Sequence, residues 1–485
     1  MTDAATPTPP ASQPLASRPP ASGQSGSRPP RLGEVSGFAE YMGKEWDVPD
    51  RTPPVVPGAA AAAAAHRARL AAEFAGRTLV VSGGQAPVRA NDTYYDFRPD
   101  SGFAWLTGCT TVEDAVVVVS GDSAVLYLPA PAYAGEPGFF TDAAHGELWV
   151  GAAPALSDWS SALGIEVRAL SRLEEDFGRL REPLLAGAPV SVGTLAGRAA
   201  DADLTRALSR VRLVKDDWEI AQLRSAVNHT VDGFAATARE FGPAIAHGGE
   251  RWLQGTFERH ARSVGNGVGY GTIVGSGKHA ATLHWVRCDG PLLADELVLM
   301  DMGVEVNSLY TADVTRTFPA SGTFSAAQRQ VHDLVEAAHR AGLAAVAPGR
   351  PFSDFHHACM EVLARGLADW GLLPVSVDES LSLSGQHHRR YVVCGVGHHL
   401  GLDVHDCAAV PREAYQDGDL EPGMVLTVEP GLYFHAHDRT VPPELRGIGV
   451  RIEDDLLVTS AGAEILSDAL PITAGGLEEW VRGLG

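Results

Sequence analysis

Five residues in the second half of the chain have the types a hydrolytic centre needs: Asp301, Asp313, His398, Glu429 and Glu453. Asp301 closes the apolar run Leu297-Val-Leu-Met. Side chains alternate along a strand, so Leu297, Leu299 and Asp301 share one face. Asp313, Thr315 and Thr317 share a face of the next strand, so two strands with a short irregular connection deliver two carboxylates. His398 stands among Gly395, Gly397 and Gly401, which let other atoms approach its ring. Val425, Thr427 and Glu429 share a strand face that Pro430 ends, and Arg451 shares one with Glu453. Taken singly, each has a plainer reading. Asp301 can cap a turn before Gly303, Asp313 can pair with Arg316, and Arg451 with Glu453 can be a cross-strand ion pair. His398, or His284 beside Trp285, can be a hydrogen-bonded core histidine. Together they set four carboxylates and one imidazole at the ends or edges of buried strands. Buried carboxylates repel one another and lose hydration, so one takes a proton or a cation sits between them. Oxygen-rich ligation with one imidazole favours hard or borderline ions such as Mn²⁺ or Co²⁺ over a thiolate-type zinc site. Four carboxylates suit two cations about 3.5–4 Å apart, close enough for one water or hydroxide to bridge them.

The elements that must position these groups follow from pattern. Residues 1–33 are rich in Pro, Ala, Ser and Gly and read as a disordered tail. Over 34–206 strands and helices alternate, which predicts an α/β domain with a central sheet. The run from Pro57 through Phe74 reads as a helix, 78–84 as a buried strand, and 115–120 with 123–127 as a hairpin around Gly121-Asp122. Residues 165–170 and 189–192 read as further strands, and 172–180 as a helix. A long helix starts near Asp216, with Ile220, Leu223, Ala226 and Val227 on its buried face and Lys215, Glu219 and Arg224 expected in solvent. The domain boundary is set at 207. Helices are expected at 250–264, 325–346 and 352–370, and strands at 272–277, 391–405, 424–429, 449–458 and 463–466. The stretch 207–485 is therefore α+β, with helices on one side of an antiparallel sheet.

Composition narrows the function. With 38 basic and 60 acidic residues the net charge is -22, which disfavours nucleic acid and anionic membranes as partners. The five cysteines are odd in number and scattered, pointing to a reducing compartment and a cytoplasmic enzyme. No apolar run reaches the roughly 20 residues that span a bilayer, and the N-terminus lacks the basic-then-apolar order of a secretory signal.

In that order, Asp301, Asp313, His398, Glu429 and Glu453 resemble the metal ligands of the pita-bread metallopeptidases. The flanking strings Thr272-Ile-Val-Gly-Ser-Gly, Asp313-Val-Thr-Arg-Thr-Phe-Pro, Leu400-Gly-Leu-Asp-Val-His-Asp, Glu421-Pro-Gly-Met-Val-Leu-Thr-Val-Glu-Pro-Gly and Arg451-Ile-Glu-Asp-Asp are similar to aminopeptidase P and prolidase. The resemblance implies a creatinase/prolidase-type N-terminal domain and a pita-bread catalytic domain. It implies two divalent metal ions, Mn²⁺ first, with Asp301 chelating one, Asp313 and Glu453 bridging, and His398 and Glu429 holding the other. It implies catalytic roles for Glu429, His284 and His405, and substrate contacts for His284, His405, Arg451 and Tyr270. The activity implied is metal-dependent release of the N-terminal residue from peptides with proline second, by a bridging hydroxide. Prolidase, which cleaves Xaa-Pro dipeptides, is the neighbouring alternative. A metal-free binding module on the same fold is a third, although relatives of that kind lose ligands and this chain keeps all five. Homodimers or homotetramers are usual among such relatives, the N-terminal domain of one subunit nearing another's active site, with Arg98 and Asp100 able to take part. Two departures stand out: Asp301 to Asp313 spans 12 positions, one more than is usual, which a bulge would absorb. Cys394 replaces a histidine common four residues before His398.

Overall fold

The computed structural model describes residues 31–484. All but the last three positions of the tail expected over 1–33 lie outside them. Two units are present. One takes in 131–152 and the described part of 1–49, where Phe38 packs edge-on against Phe140 and Trp46 against Phe139.

The larger unit comprises 50–130 and 153 onward. Its N-terminal part is built on a five-stranded mixed sheet, in the order Glu166–Ala169, Ser123–Leu128, Val116–Ser120, Thr78–Ser82, Leu184–Gly187. The valine run splits by parity, as a two-sided buried sheet requires. Leu79, Val81, Val117 and Val119 join the main core, while Val80, Val116 and Val118 pack with Leu173 and Phe177 on the other face. The helix Ala59–Glu73 and the 115–127 hairpin form as expected. The strand expected over 189–192 does not; the sheet edge is Leu184–Gly187, parallel to Thr78–Ser82. Pro189 has no N–H to give a ladder, and Gly187, at φ 95°, turns the chain away first.

The C-terminal part carries the helices Asp217–Ala238, Gly249–Val264, Ala326–Ala345 and Ser353–Asp369 and a set of short antiparallel sheets. The strand Leu297–Met302 lies between Val314–Pro319 and Ile273–Ser276. Val425–Val428, Asp454–Thr459 and Gly462–Ile465 form a second sheet, and a bridge from Thr315 to Glu453 joins the two. In the first sheet Val298, Met300, Met302, Val314 and Phe318 fill the main core. Ile273 and Leu299 pack with Tyr433 on the opposite face, the face that also carries Asp301.

Three expectations are corrected. Residues 391–405 form no regular strand; His399 alone bridges Leu426, and scattered backbone hydrogen bonds together with side-chain contacts hold this glycine-rich segment instead. Lys215 and Glu219 are buried, not solvated, because each finds ionic or hydrogen-bonding partners that replace water. Arg224 is half-exposed and paired with Glu464. The extra residue before Asp313 is absorbed in a turn rather than by a bulge in the strand pair, whose register runs without a shift. Val304–Glu305 pairs with Gly267–Val268. Val306 N–H then donates to the Tyr310 carbonyl at 3.0 Å and Leu309 N–H to that of Val306 at 2.7 Å.

Candidate metal centre

Strand pairing brings the acids together. Asp301 pairs directly with Thr315, so both project from the face that also bears Asp313. Thr315 in turn bridges Glu453, whose N–H donates to the Thr315 carbonyl at 3.1 Å. From the second sheet, Thr427 N–H donates to the His398 carbonyl at 2.9 Å and Glu429 N–H to that of Val396 at 3.0 Å. The irregular histidine segment is thereby laid along the strand that ends in Glu429. Asp313, His398 and Glu453 each offer a ligand atom within 4.8 Å of the others'. His398 Nε2 lies 3.2 Å from Asp313 Oδ2 and 3.6 Å from Glu429 Oε1. Asp301 faces the same group, with Tyr270 OH donating to its Oδ1 at 2.6 Å and Arg451 Nη2 to its Oδ2. Each carboxylate oxygen has two lone pairs, so one on each atom stays available.

The charge balance of this cluster asks for a cation. Burial, with repulsion from Asp313, Glu429 and Asp301, holds Glu453 well above the usual carboxylate range. Burial likewise pushes Glu429 up to about 7 and Asp301 to about 6, although His398 and Arg451 pull the other way. Asp313 is lowered: burial opposes this, but His398 outweighs it. The imidazole is raised to about 9, since Asp313 and Glu429 overcome the burial that disfavours its charge. With the protein's own groups alone, then, some acids hold protons near neutrality and the histidine is charged. Divalent cations reverse both, ionising the acids and freeing His398 Nε2 as a donor. His398 Nδ1 already lies 3.1 Å from the His399 carbonyl, which fixes the tautomer that leaves Nε2 for a metal. Four oxygen donors and one nitrogen suit hard or borderline divalent ions.

The remaining expected residues divide. His405 is exposed, and its ring packs edge-on to His398 at 4.4 Å between centroids. Desolvation of its ring where it packs against neighbouring groups, and then His398, lower its pKa, with His284 adding to the effect. His284 is exposed and sits close enough to be felt by His405. Tyr270 is bound to Asp301 itself. Arg451 is buried, with Nη1 donating to Tyr433 OH at 2.9 Å and Nε to Thr315 Oγ1 at 3.0 Å. Cys394 keeps its proton, as burial and then Glu429 raise its pKa. Sequence reasoning passed over Thr315, whose hydroxyl donates to Glu453 Oε2 at 2.6 Å. It passed over Tyr433 as well, and over Asp455, which accepts the Asp313 N–H at 3.1 Å. Strand parity already put Thr315 on the Asp313 face; no spacing rule marks Tyr433 or Asp455.

Residues 221–460 match metallopeptidase family M24, and 63–183 match the aminopeptidase P N-terminal domain. Xaa-Pro aminopeptidase 1 of Streptomyces coelicolor is 48% identical over 441 residues, covering 88% of each chain. The chain belongs to the Xaa-Pro aminopeptidases of metallopeptidase family M24. The Xaa-Pro aminopeptidase of Escherichia coli is 33% identical, over 78% of this chain and 88% of that one. The structure of aminopeptidase P from E. coli with the inhibitor Pro-Leu aligns with a TM-score of 0.77 at 27% identity, over 88% of this chain and 98% of that one. This metallopeptidase thus has the N-terminal domain and the pita-bread domain together. No helix among its described residues is long and apolar enough to cross a membrane.

Proposed function

We propose that this metallopeptidase releases the N-terminal residue from peptides with proline in the second position. The carrying observation is the joining of Asp313, His398 and Glu453 within 4.8 Å beside Asp301 and Glu429, in a chain 48% identical to a named Xaa-Pro aminopeptidase. Asp301 would hold one divalent ion, Asp313 and Glu453 would bridge two, and His398 with Glu429 would hold the second; Mn²⁺ is the ion we assign. When bound, such a pair lowers the pKa of water and polarises the scissile carbonyl.

The protein's own groups then do the following. Glu429 accepts the proton of the attacking water and passes it to the leaving proline nitrogen. His405 and His284 donate N–H bonds to the developing oxyanion, contacts stronger in the transition state than in the ground state. Tyr270 and Arg451 hold Asp301 in place and line the substrate side of the site. The neutral thiol of Cys394 replaces a polar imidazole near the proline-side pocket and leaves that wall more apolar.

We divide the chain into an N-terminal domain, 34–206, and a catalytic domain, 207–485; the two family matches fall on either side. We place the enzyme in the cytoplasm as a homodimer or homotetramer, its five unpaired cysteines suiting a reducing compartment. Light scattering of the eluting enzyme checks the assembly. The activity is tested by stripping the enzyme with chelator and restoring it with Mn²⁺, on an Xaa-Pro-Pro tripeptide and an Xaa-Pro dipeptide. Metal-dependent turnover of the tripeptide is expected; turnover of the dipeptide alone overturns the assignment in favour of a prolidase.

A further inference from the structure

His405 stands on irregular backbone, and its ring makes no hydrogen bond among the described residues. Its position therefore depends on what holds the chain on either side. Arg98 Nη2 donates to the Leu402 carbonyl, and Arg98 Nε to Glu305 Oε2 at 2.7 Å. Ser101 Oγ donates to Asp403 Oδ1 at 2.6 Å. Arg212 donates to Asp403 Oδ2 at 2.9 Å and also to Asp406. Lys215 Nζ donates to the other oxygen of Asp406 at 3.1 Å. Asp406 N–H completes the frame, donating to the His399 carbonyl at 2.9 Å. Thus the residues around His405 are gripped at Leu402, Asp403 and Asp406. Arg98 and Ser101, which come from the N-terminal part of the same chain, supply two of the grips. The Arg212 and Lys215 pairs with Asp406 are buried, and pairs of that kind fix geometry more than they add stability; Arg98 and Asp403 extend the grip to the half-exposed side of the segment.

We propose that Arg98 and Asp403 are positioning residues for His405, and that through them the N-terminal part of the chain serves the active site of its own subunit. A catalytic donor displaced by about 1 Å costs up to roughly 100-fold in rate, and the clamp prevents that displacement. The inference rests on the role given to His405 above.

The test is a double-mutant cycle on the metal-loaded enzyme. Arg98→Ala and Asp403→Ala are made alone and with His405→Ala, with Asp403→Asn as the conservative variant. Arg98 and Asp403 side chains are 34% and 41% exposed, so these variants should fold. Alone, each alanine variant should lower kcat about tenfold, with KM, bound metal and melting temperature near wild type. Asp403→Asn, which keeps an acceptor, should recover most of that loss. In the His405→Ala background the same changes should lower kcat less than about twofold. Equal losses in both backgrounds, or unchanged kcat in the single variants, overturn the inference alone. Unchanged kcat in His405→Ala itself overturns the role of His405 and the inference with it.

Discussion

At the residue scale the centre is a chain of hydrogen bonds more than a row of acids. Thr315 is fully buried and joins Glu453 to Arg451, which joins Asp301 to Tyr433. Thr315→Val keeps the shape and removes the link. Arg451 Nε and Glu453 Oε2 are then short of a partner in a buried site, a cost of about 1–3 kcal/mol. Urea unfolding should show that loss, and a chelator titration should show metal affinity weakened roughly 10- to 100-fold; unchanged affinity would contradict the role given to Thr315. Tyr270→Phe should lower kcat/KM about tenfold by freeing Asp301 Oδ1, with a smaller effect on melting. Strand parity made the Asp313–Thr315 face readable. It could not show that Tyr270 would bond to Asp301, because the two are 31 positions apart and meet only through the fold.

At the element scale, the turn between the two acid-bearing strands is the point of strain. Leu309 is buried yet adopts φ 71°, a left-handed conformation that costs a side-chain-bearing residue about 1–2 kcal/mol. The core gain of the leucine outweighs that cost. Both Leu309→Ala and Leu309→Gly should therefore destabilise the protein, by about 2–4 kcal/mol in the alanine case. Glycine relaxes the backbone and alanine does not. Leu309→Gly should then be the more stable of the two by about 1 kcal/mol, the reverse of their usual order. Equilibrium denaturation of the pair decides it; a more stable alanine variant would show that the turn carries no backbone strain. Against the family resemblance the spacing is one residue long before Asp313, but a count does not say which residue absorbs it.

At the scale of the whole molecule, the N-terminal and catalytic parts of the larger unit meet through buried polar groups. His66 Nε2 lies 2.8 Å from Asp216 Oδ2, and its Nδ1 lies 2.8 Å from the Trp105 carbonyl. Glu219 Oε1 accepts from Trp105 Nε1 at 3.0 Å and from Tyr310 OH at 2.7 Å, so one carboxylate ties the N-terminal helix Ser101–Thr107 to the turn that leads into Asp313. Burial works against a charge on His66, but Asp216 and Glu219 prevail and raise its pKa to about 9. A raised folded-state pKa means that stability is fully present below the unfolded value of 6.5 and is lost as pH climbs through about 9. The shift corresponds to about 3 kcal/mol. Between pH 6.5 and 9.5 the wild type should therefore lose more stability than His66→Gln. Parallel pH curves for the two would remove the histidine from this account.

The sequence by itself determined most helices, an α/β stretch followed by an α+β one, and the placing of four acids and an imidazole at strand ends; their roles as metal ligands and the pita-bread fold came from the family resemblance. The elements rest on local periodicity, and the acid cluster on residue types whose burial calls for a proton or a cation. Tertiary structure alone decided that 391–405 is irregular and that Lys215 and Glu219 are buried. It also decided that Arg98 reaches across to the Leu402 carbonyl. The reason is physical: a glycine-rich segment has no preference strong enough to choose its own path, and a charged residue reads as solvated until the fold brings it a partner more than 90 positions away. Asp406 is 191 positions from Lys215, and Leu402 is 304 from Arg98; no window along the chain contains either pair.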